Sequence, residues 1–493
     1  MLSQQKTSLS RNEAPAVVIL LLSLCFSHIH LGTLGVDAIR YAHISFLALK
    51  SGDWINLYDH FMGETYANKP PLLFWLTASS FHFLGVSTFS ARLPSVLCAF
   101  LGYLLIWQTV RRLCGPAAGM LCVFLIFTCA ATWKSALDLS FEGLLLLAAG
   151  LWFWSVAEIE QRHSISLSAA SALGLAVFLF LQAKPPMLFI PLCAACAWLP
   201  CAARYLRRHD ICLLAPVLIG FSLAGLSWLV FYDSQHLART FSNQLSDRIV
   251  LEDNLLNLPR WASTIIGEYS PLVWLFLLTA LRRPAAGASR SLRVFYLTWA
   301  ACALPLMLFA QPVARYLLLP SLALAVLAAP AIAERLPERL LHRAARLMIP
   351  AAAVPALLAL GFGISLHPKE GVISILQTDL TGLPQPLLVC SDGGSQAASR
   401  PRRKRMEMLL DFELNIRLPV YSSANLGLSA IQEGGGIVAD KKCLKNLHAA
   451  GLVSSELLRR HGAALVTLAR TPAPLKPAAG ADLHPGEAYE HVS

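Results

Sequence analysis

"VDAIRYAHISFLALKSGDW" (residues 36–54) and "NKPPLLFWL" (68–76) follow directly on the first long apolar run of the chain. Ile39, Ala42, Phe46 and Leu49 fall at helical spacing, with Arg40, His43 and Lys50 elsewhere. That pattern predicts a helix lying in a membrane surface, with Gly52 as its stop. Asp37 falls in its first turn. An Asp there is a preferred N-cap, and it also presents a carboxylate to a ligand; the two roles are compatible.

Outside this stretch the chain is apolar. Of 493 residues, 56% are hydrophobic and 14% charged, well below the roughly 25% charge of a soluble protein. Apolar runs recur at about 14–34, 91–110, 116–133, 139–157, 165–182, 186–203, 211–232, 269–281, 292–309, 314–333 and 345–365. Each reads as a membrane helix, since lipid satisfies no backbone polar group. The run 70–85 is shorter and opens on Pro-Pro, which predicts an interfacial or re-entrant helix. The expected fold class is mainly α, a polytopic membrane protein.

Charge orients it. One set of loops holds sixteen basic and six acidic residues, the opposite set nine and eleven. The basic set is the cytoplasmic one. The N-terminus is then cytoplasmic, the first run is an uncleaved anchor, and loops 35–90 and 233–268 face outward with everything after 366. The net charge of +11 therefore reflects orientation, and no nucleic-acid partner is expected. The run "SRPRRKR" (399–405) reads as a solvated loop or a contact with anionic lipid. Domain boundaries follow: 1–366 in the membrane, 367–493 a small soluble α/β domain. In that tail "PLLVC", "IRLPVY", "GIVAD" and "AALVTL" look like strands and "SSELLRRHG" like helix. Cys390 and Cys443 stand alone there and are able to pair in an oxidising compartment.

The polar chemistry gathers at outward ends of spans. Lys69-Pro70-Pro71 reads as a snorkelling Lys with a helix start, or as a point charge for phosphate. A second Lys-Pro-Pro stands at 184–186, and Arg315-Tyr316 opens the tenth span. Asp37, Asp138 and Glu142 are the nearby outward carboxylates. The spans carry almost no central charge, and no internal repeat is visible. Both facts argue against an ion-coupled transporter or a flippase of lipid-linked sugars, which stays the alternative from another class. A sensor with a membrane anchor needs far fewer spans. Trp75, Phe81 and Phe83 are candidates to line a groove for a lipid tail, or belt anchors.

Residues 37–94 resemble the bacterial aminoarabinose (lipid A) transferases and their protein mannosyltransferase-like relatives, which share the C-type glycosyltransferase fold. The matching motifs are Asp37, Arg40-Tyr41-Ala42, Ser51-Gly52-Asp53-Trp54, Lys69-Pro70-Pro71 and Phe89-Ser90-Ala91-Arg92-Leu93-Pro94. "AKPPMLFIPL", "ARYLLLPSLALAV" and "LLDFELNIRLPVYSS" fit more loosely. The resemblance implies transfer of a sugar from a polyprenyl-phosphate donor to a lipid A or other lipid or glycan acceptor. The site would be periplasmic, in the bacterial inner membrane. A mannosyltransferase-like enzyme acting on a protein or glycan hydroxyl is the other form of that reading.

Under this resemblance Asp37 and Asp138 are the catalytic carboxylates. Lys69, Arg40, Tyr41, Lys184, Arg260, Arg315 and Tyr316 bind substrate, with the cations offsetting the charge of the departing phosphate. Asp37 is a general base if the acceptor is a hydroxyl, an orienting group if it is a phosphate. The chain departs from the family pattern at Ala38, Asn68 and Leu258, where the family has acidic residues and a His. Those positions would have ligated a divalent metal, so no obligatory metal or other cofactor is expected.

Overall fold

The architecture is seen in a computed structural model. It describes residues 13–27, 29–30, 34–59, 63–66, 68–129, 132, 138–203, 215–231, 258–268, 289–302 and 314–337, single positions 340, 343, 347 and 354, and, in the tail, 387–390, 406–408, 410, 412, 420–421, 436–449, 453–460 and 463–468. The expected span at 269–281, all of that at 345–365 but for 347 and 354, and the basic run 399–405 lie outside the described residues. The chain divides into two compact units, Met1–Pro368 and Lys369–Ser493.

In the first unit the described helices are α1 (Glu13–Phe26), α2 (Val36–Ser51), α3 (Leu72–Leu84), α4 (Thr88–Cys114), α5 (Pro116–Thr128), α6 (Glu142–Arg162), α7 (Leu167–Ala183), α8 (Phe189–Ala202), α9 (Ala215–Phe231), α10 (Leu258–Glu268), α11 (Arg290–Ala301) and α12 (Leu318–Ala333). Single 3-10 turns, Pro185–Leu188 and Ala314–Leu317, lead into α8 and α12. A two-stranded ribbon, β1 (Tyr58–Asp59) with β2 (Glu64–Thr65), joins α2 to α3. By length and composition, 88–114, 142–162, 185–202 and 315–333 are able to cross a membrane, and α1, α3, α5, α7 and α9 are shorter apolar helices.

Local chemistry sets the ends. Ser87 caps α4 in a reciprocal capping box with Ser90, and Ser166 caps α7 by accepting the Ala169 N–H at 3.2 Å. Gly52 ends α2 in the left-handed region at φ 74°, as the sequence predicts. At the end of α7, Pro185 and Pro186 cannot donate to the helix ladder, so the chain breaks at Lys184 and tightens into the 3-10 turn.

The bundle packs through small residues. Gly102 on α4 lies against the Leu146 carbonyl of α6, and Gly174 on α7 against the Pro216 carbonyl of α9, each too close for a Cβ. Such contacts let helix backbones approach where lipid supplies no hydrophobic drive between helices. Trp152, Phe153, Phe180, Phe295, Tyr296 and Trp299 fill the centre between α6, α7 and α11 with edge-to-face rings. Leu218, Ile219, Leu223, Leu226 and Leu229 on α9 stay exposed, an apolar stripe of the kind lipid covers. The chain is an integral membrane protein.

Helix α2 departs from expectation in one respect. It is enclosed on more than one face: Ala38, Ile39, Tyr41, Ala42, His43, Ile44 and Ser45 are all buried. It packs along α3, and α3 packs on α4. A helix lying free in the membrane surface buries a single stripe.

The second unit is α/β. Its sheet runs β4 (Val420–Tyr421), β3 (Leu387–Cys390), β5 (Gly436–Ala439), β7 (Ala463–Leu468), β6 (Val453–Arg460). β3 is parallel to β4 and β5; β7 is antiparallel to β5 and β6. Helix α13 (Lys441–Ala449) starts where the Asp440 carboxylate accepts the Cys443 N–H at 2.8 Å. It packs Cys443, Leu444 and Leu447 on Cys390, Ile437 and Ala439. The helix expected over "SSELLRRHG" is strand β6 instead. Its backbone pairs with β7 across two register irregularities, and that tertiary pairing overrides the helix-forming composition.

Candidate active site

Asp37 lies in the first turn of α2, but it does not cap the helix. Gly35 is the N-cap, and its N–H is taken by Asp138 Oδ2 at 3.0 Å. Asp37 is therefore left to face outward with its side chain 53% exposed. Its Oδ2 accepts from Arg315 Nη1 at 2.7 Å. Arg315 comes from the 3-10 turn before α12, which sets it at the mouth of the span.

Behind this pair is Glu142, at the first position of α6 and only 4% exposed. Lys184 Nζ donates to Glu142 Oε1, and Arg315 Nε lies 3.9 Å from the same oxygen. Lys184 also sits over the Tyr316 ring, 5.3 Å from its centroid. The helix break at the second Lys-Pro-Pro is what swings Lys184 off α7 toward α6. Four chain segments thus contribute one relay of alternating charge: Asp37, Arg315, Glu142, Lys184. The relay is not closed to a ligand, since among the described residues Asp37 Oδ1 accepts no hydrogen bond.

Tyr41 forms the floor. It is buried on α2, edge-on to Phe141 at 5.2 Å and Phe74 at 5.7 Å. Burial pushes its phenol well above the ordinary value. The charges of Asp37 and Glu142 push the same way, against Arg315 and Arg40. The hydroxyl stays protonated at any working pH.

The remaining expected residues stand elsewhere. Arg40 turns to the ribbon, donating from Nε to Asp59 Oδ2 at 3.0 Å and covering the Tyr66 ring. Burial lowers its affinity for the proton, and the hydrogen bond and charge of Asp59 more than restore it. Asp138 meets Arg92 and accepts the Gly35 and Leu139 N–H groups. Lys69 is half-buried in the turn 68–71 before α3. Arg260 lies on α10, which contacts the Ala314–Leu317 turn; its side chain is outside the described residues. Of the groove candidates, Trp75 donates to the Trp54 carbonyl at 2.9 Å and meets Phe231, Phe81 is buried, and Phe83 is 79% exposed. Glu142 is the carboxylate that sequence reading placed only among the outward acids and did not choose for the site. Its signal was its register one turn after Asp138. Among the described residues no three His, Cys, Asp or Glu side chains gather as a metal site.

The fold is similar to that of the solved ArnT structures. ArnT from Cupriavidus metallidurans bound to undecaprenyl phosphate superposes with a TM-score of 0.55, covering 93% of this chain and 98% of that one at 16% identity. Its apo state gives 0.54. Residues 68–228 match the dolichyl-phosphate-mannose-protein mannosyltransferase family model. The chain is 28% identical over 288 residues to the undecaprenyl phosphate-alpha-4-amino-4-deoxy-L-arabinose arabinosyl transferase of Edwardsiella ictaluri (strain 93-146), 55% of this chain and 50% of that one. It is 26% identical over 315 residues to arabinosyl transferase 2 of Pseudomonas fluorescens (strain Pf0-1), 61% and 56%. The chain spans about half the length of these curated relatives. The resemblance seen in residues 37–94 holds.

Proposed function

We propose that this protein is an integral-membrane glycosyltransferase that moves a sugar from a polyprenyl-phosphate donor to a lipid A or other cell-envelope acceptor. The observation that carries this is the relay Asp37–Arg315–Glu142–Lys184. It sets one exposed carboxylate beside two cations at adjoining helix ends. Breaking the bond between sugar C1 and phosphate leaves the phosphate with added charge, and fixed cations aimed at that charge lower the barrier. Arg315 and Lys184 supply them, with Lys69 and Arg260 at the same end of the bundle in the topology read from sequence. Glu142 holds both relay cations in place before the donor arrives, so little reorganisation is needed at the moment of transfer. Asp37 Oδ1 is available to accept the acceptor's proton if it is a hydroxyl, or to orient it if it is already ionised.

The match of residues 68–228 to the mannosyltransferase model supports a second form, with a protein or glycan hydroxyl as acceptor. The site would face the periplasm across the bacterial inner membrane, with the N-terminus cytoplasmic. Arg112 and Arg162 both pair with Glu158, which brings two of the loops read as cytoplasmic to one end of the bundle, and the Cys390–Cys443 disulfide in the tail supports an oxidising compartment for that part of the chain. Catalysis through the chain's own cations, with no obligatory metal, is part of the proposal.

The test is purified full-length protein with a polyprenyl-phosphate sugar donor. Asp37→Asn should abolish turnover while undecaprenyl phosphate still binds; full activity in that variant rejects the role. Mass spectrometry of lipid A and surface glycans from a deletion strain identifies sugar and acceptor.

A further inference from the structure

Asp138 and Arg92 form a second, buried carboxylate–guanidinium pair that the relay does not use. Arg92 comes from the first turns of α4 and is 2% exposed; Asp138 precedes α6 and is 13% exposed. Arg92 Nε donates to Asp138 Oδ1 at 3.1 Å. Its Nη1 donates to the Ile29 carbonyl at 3.3 Å, upstream of α2. Asp138 Oδ2 takes the Gly35 N–H, and Oδ1 also takes the Leu139 N–H at 2.9 Å. One turn further along α4, Ser95 Oγ and the Ser140 backbone bond reciprocally, at 2.9 and 3.1 Å.

The consequence is a helix capped from outside its own sequence. Gly35 has no side chain to satisfy the first turn of α2, and no side-chain cap stands there. Orphan N–H groups at a helix start must find an acceptor, and a carboxylate at that end is also favoured by the helix dipole. Asp138 supplies it from 103 residues away. Asp37 follows two residues after the capped Gly35. Four residues after Asp138, Glu142 holds Arg315, and Arg315 holds Asp37. The segment 138–142 therefore grips Asp37 from both sides, through its backbone and through its charge.

We propose that Arg92 and Asp138 act as one positioning unit that fixes the start of α2, and with it the place of Asp37 against Arg315, without touching substrate. The role in transfer rests on the function proposed above; the capping does not. This gives the sequence motif Phe89-Ser90-Ala91-Arg92-Leu93-Pro94 a physical purpose, and it assigns Asp138 a role different from that of a catalytic carboxylate.

Two readouts on the full-length protein test it. Hydrogen exchange, read without substrate, should quicken at residues 36–39 by roughly fivefold or more in Asp138→Asn, the scale of losing a helix cap. Exchange across α7 should not change. Turnover should fall by roughly 10- to 100-fold, as misplaced catalytic groups do, with KM for the donor and the shape of the pH profile retained. Arg92→Met should behave alike, and the double variant should be no worse than the poorer single one; Arg92→Lys should recover part of the loss. Unchanged exchange at 36–39 overturns the capping. Loss of a titrating limb in the pH profile, or additive effects, overturns the positioning role in favour of direct chemistry. Altered exchange together with full turnover by Asp37→Asn leaves the capping standing and removes the proposed function instead.

Discussion

Glu142 is the residue on which the site's electrostatics turn. It is buried and faces two cations, so neutralising it strands both. Breaking a buried pair in this way costs about 3 kcal/mol or more. Glu142→Gln should lower the thermal unfolding midpoint of the purified protein and reduce turnover about 100-fold or more. Adding Lys184→Met should restore much of the stability but not the turnover, because the stranded charge is gone while the phosphate cation is lost as well. A double variant with normal turnover would show that Lys184 is structural. Asp53 makes the contrasting case, an exposed carboxylate with a local task. It accepts the Ile55 and Asn56 N–H groups and the Asn56 amide, and the Asn56 backbone bond, first among these, lowers its pKa below the ordinary value of 3.8. A lowered carboxylate contributes stability above its unfolded pKa and loses it as pH falls through the folded value. Amide protection at Ile55 and Asn56 should therefore hold from neutral pH down to the acid range, and vanish at all pH in Asp53→Ala. The end of α2 at Gly52 and the helix break at Lys184 were legible in sequence because a helical apolar stripe that stops on Gly, and a Lys-Pro-Pro, are local signals. The Glu142–Arg315 contact joins residues far apart in sequence, and no local spacing encodes it.

At the level of elements, the bundle's order depends on where side chains are missing. Gly102 on α4 touches the Leu146 backbone of α6, so a methyl group there forces the helices apart. Gly225 on α9 has open space around it. Gly102→Ala should destabilise by about 1–3 kcal/mol through overpacking. Gly225→Ala should be neutral or slightly stabilising, since Ala suits a helix better by up to about 1 kcal/mol. Thermal unfolding of both variants in the same detergent measures the difference; equal effects would mean that α4 and α6 are free to separate. Apolar length alone placed α4, α6, α8 and α12 close to their observed ends. It misjudged α2, since hydrophobic periodicity reports one buried stripe and is silent about a second neighbour covering the other face. It misjudged β6 for a related reason. "SSELLRR" has the composition of a helix, and only its partner β7 makes it a strand.

Across the whole molecule, the proposed outward orientation of the site carries an expectation for the tail. The Cys390–Cys443 bond joins β3 to α13 across 53 residues, while Cys25, Cys98, Cys114, Cys122, Cys129, Cys193, Cys196, Cys201 and Cys302 are free. Apolar spans keep thiols unpaired as small hydrophobes, so it is the tail that reports on its compartment. Disulfides persist where the surroundings are oxidising. Closing a loop of that size stabilises a small domain by about 4 kcal/mol. In intact cells, Cys390 and Cys443 should resist alkylation until a reductant is added. In cells lacking periplasmic disulfide formation they should react at once, and the tail should become sensitive to protease added to spheroplasts. Immediate alkylation in otherwise normal cells would put the tail on the reducing side. The outward assignment of Asp37, Glu142, Lys184 and Arg315, which is read from loop charge together with that of the tail, would then fall with it.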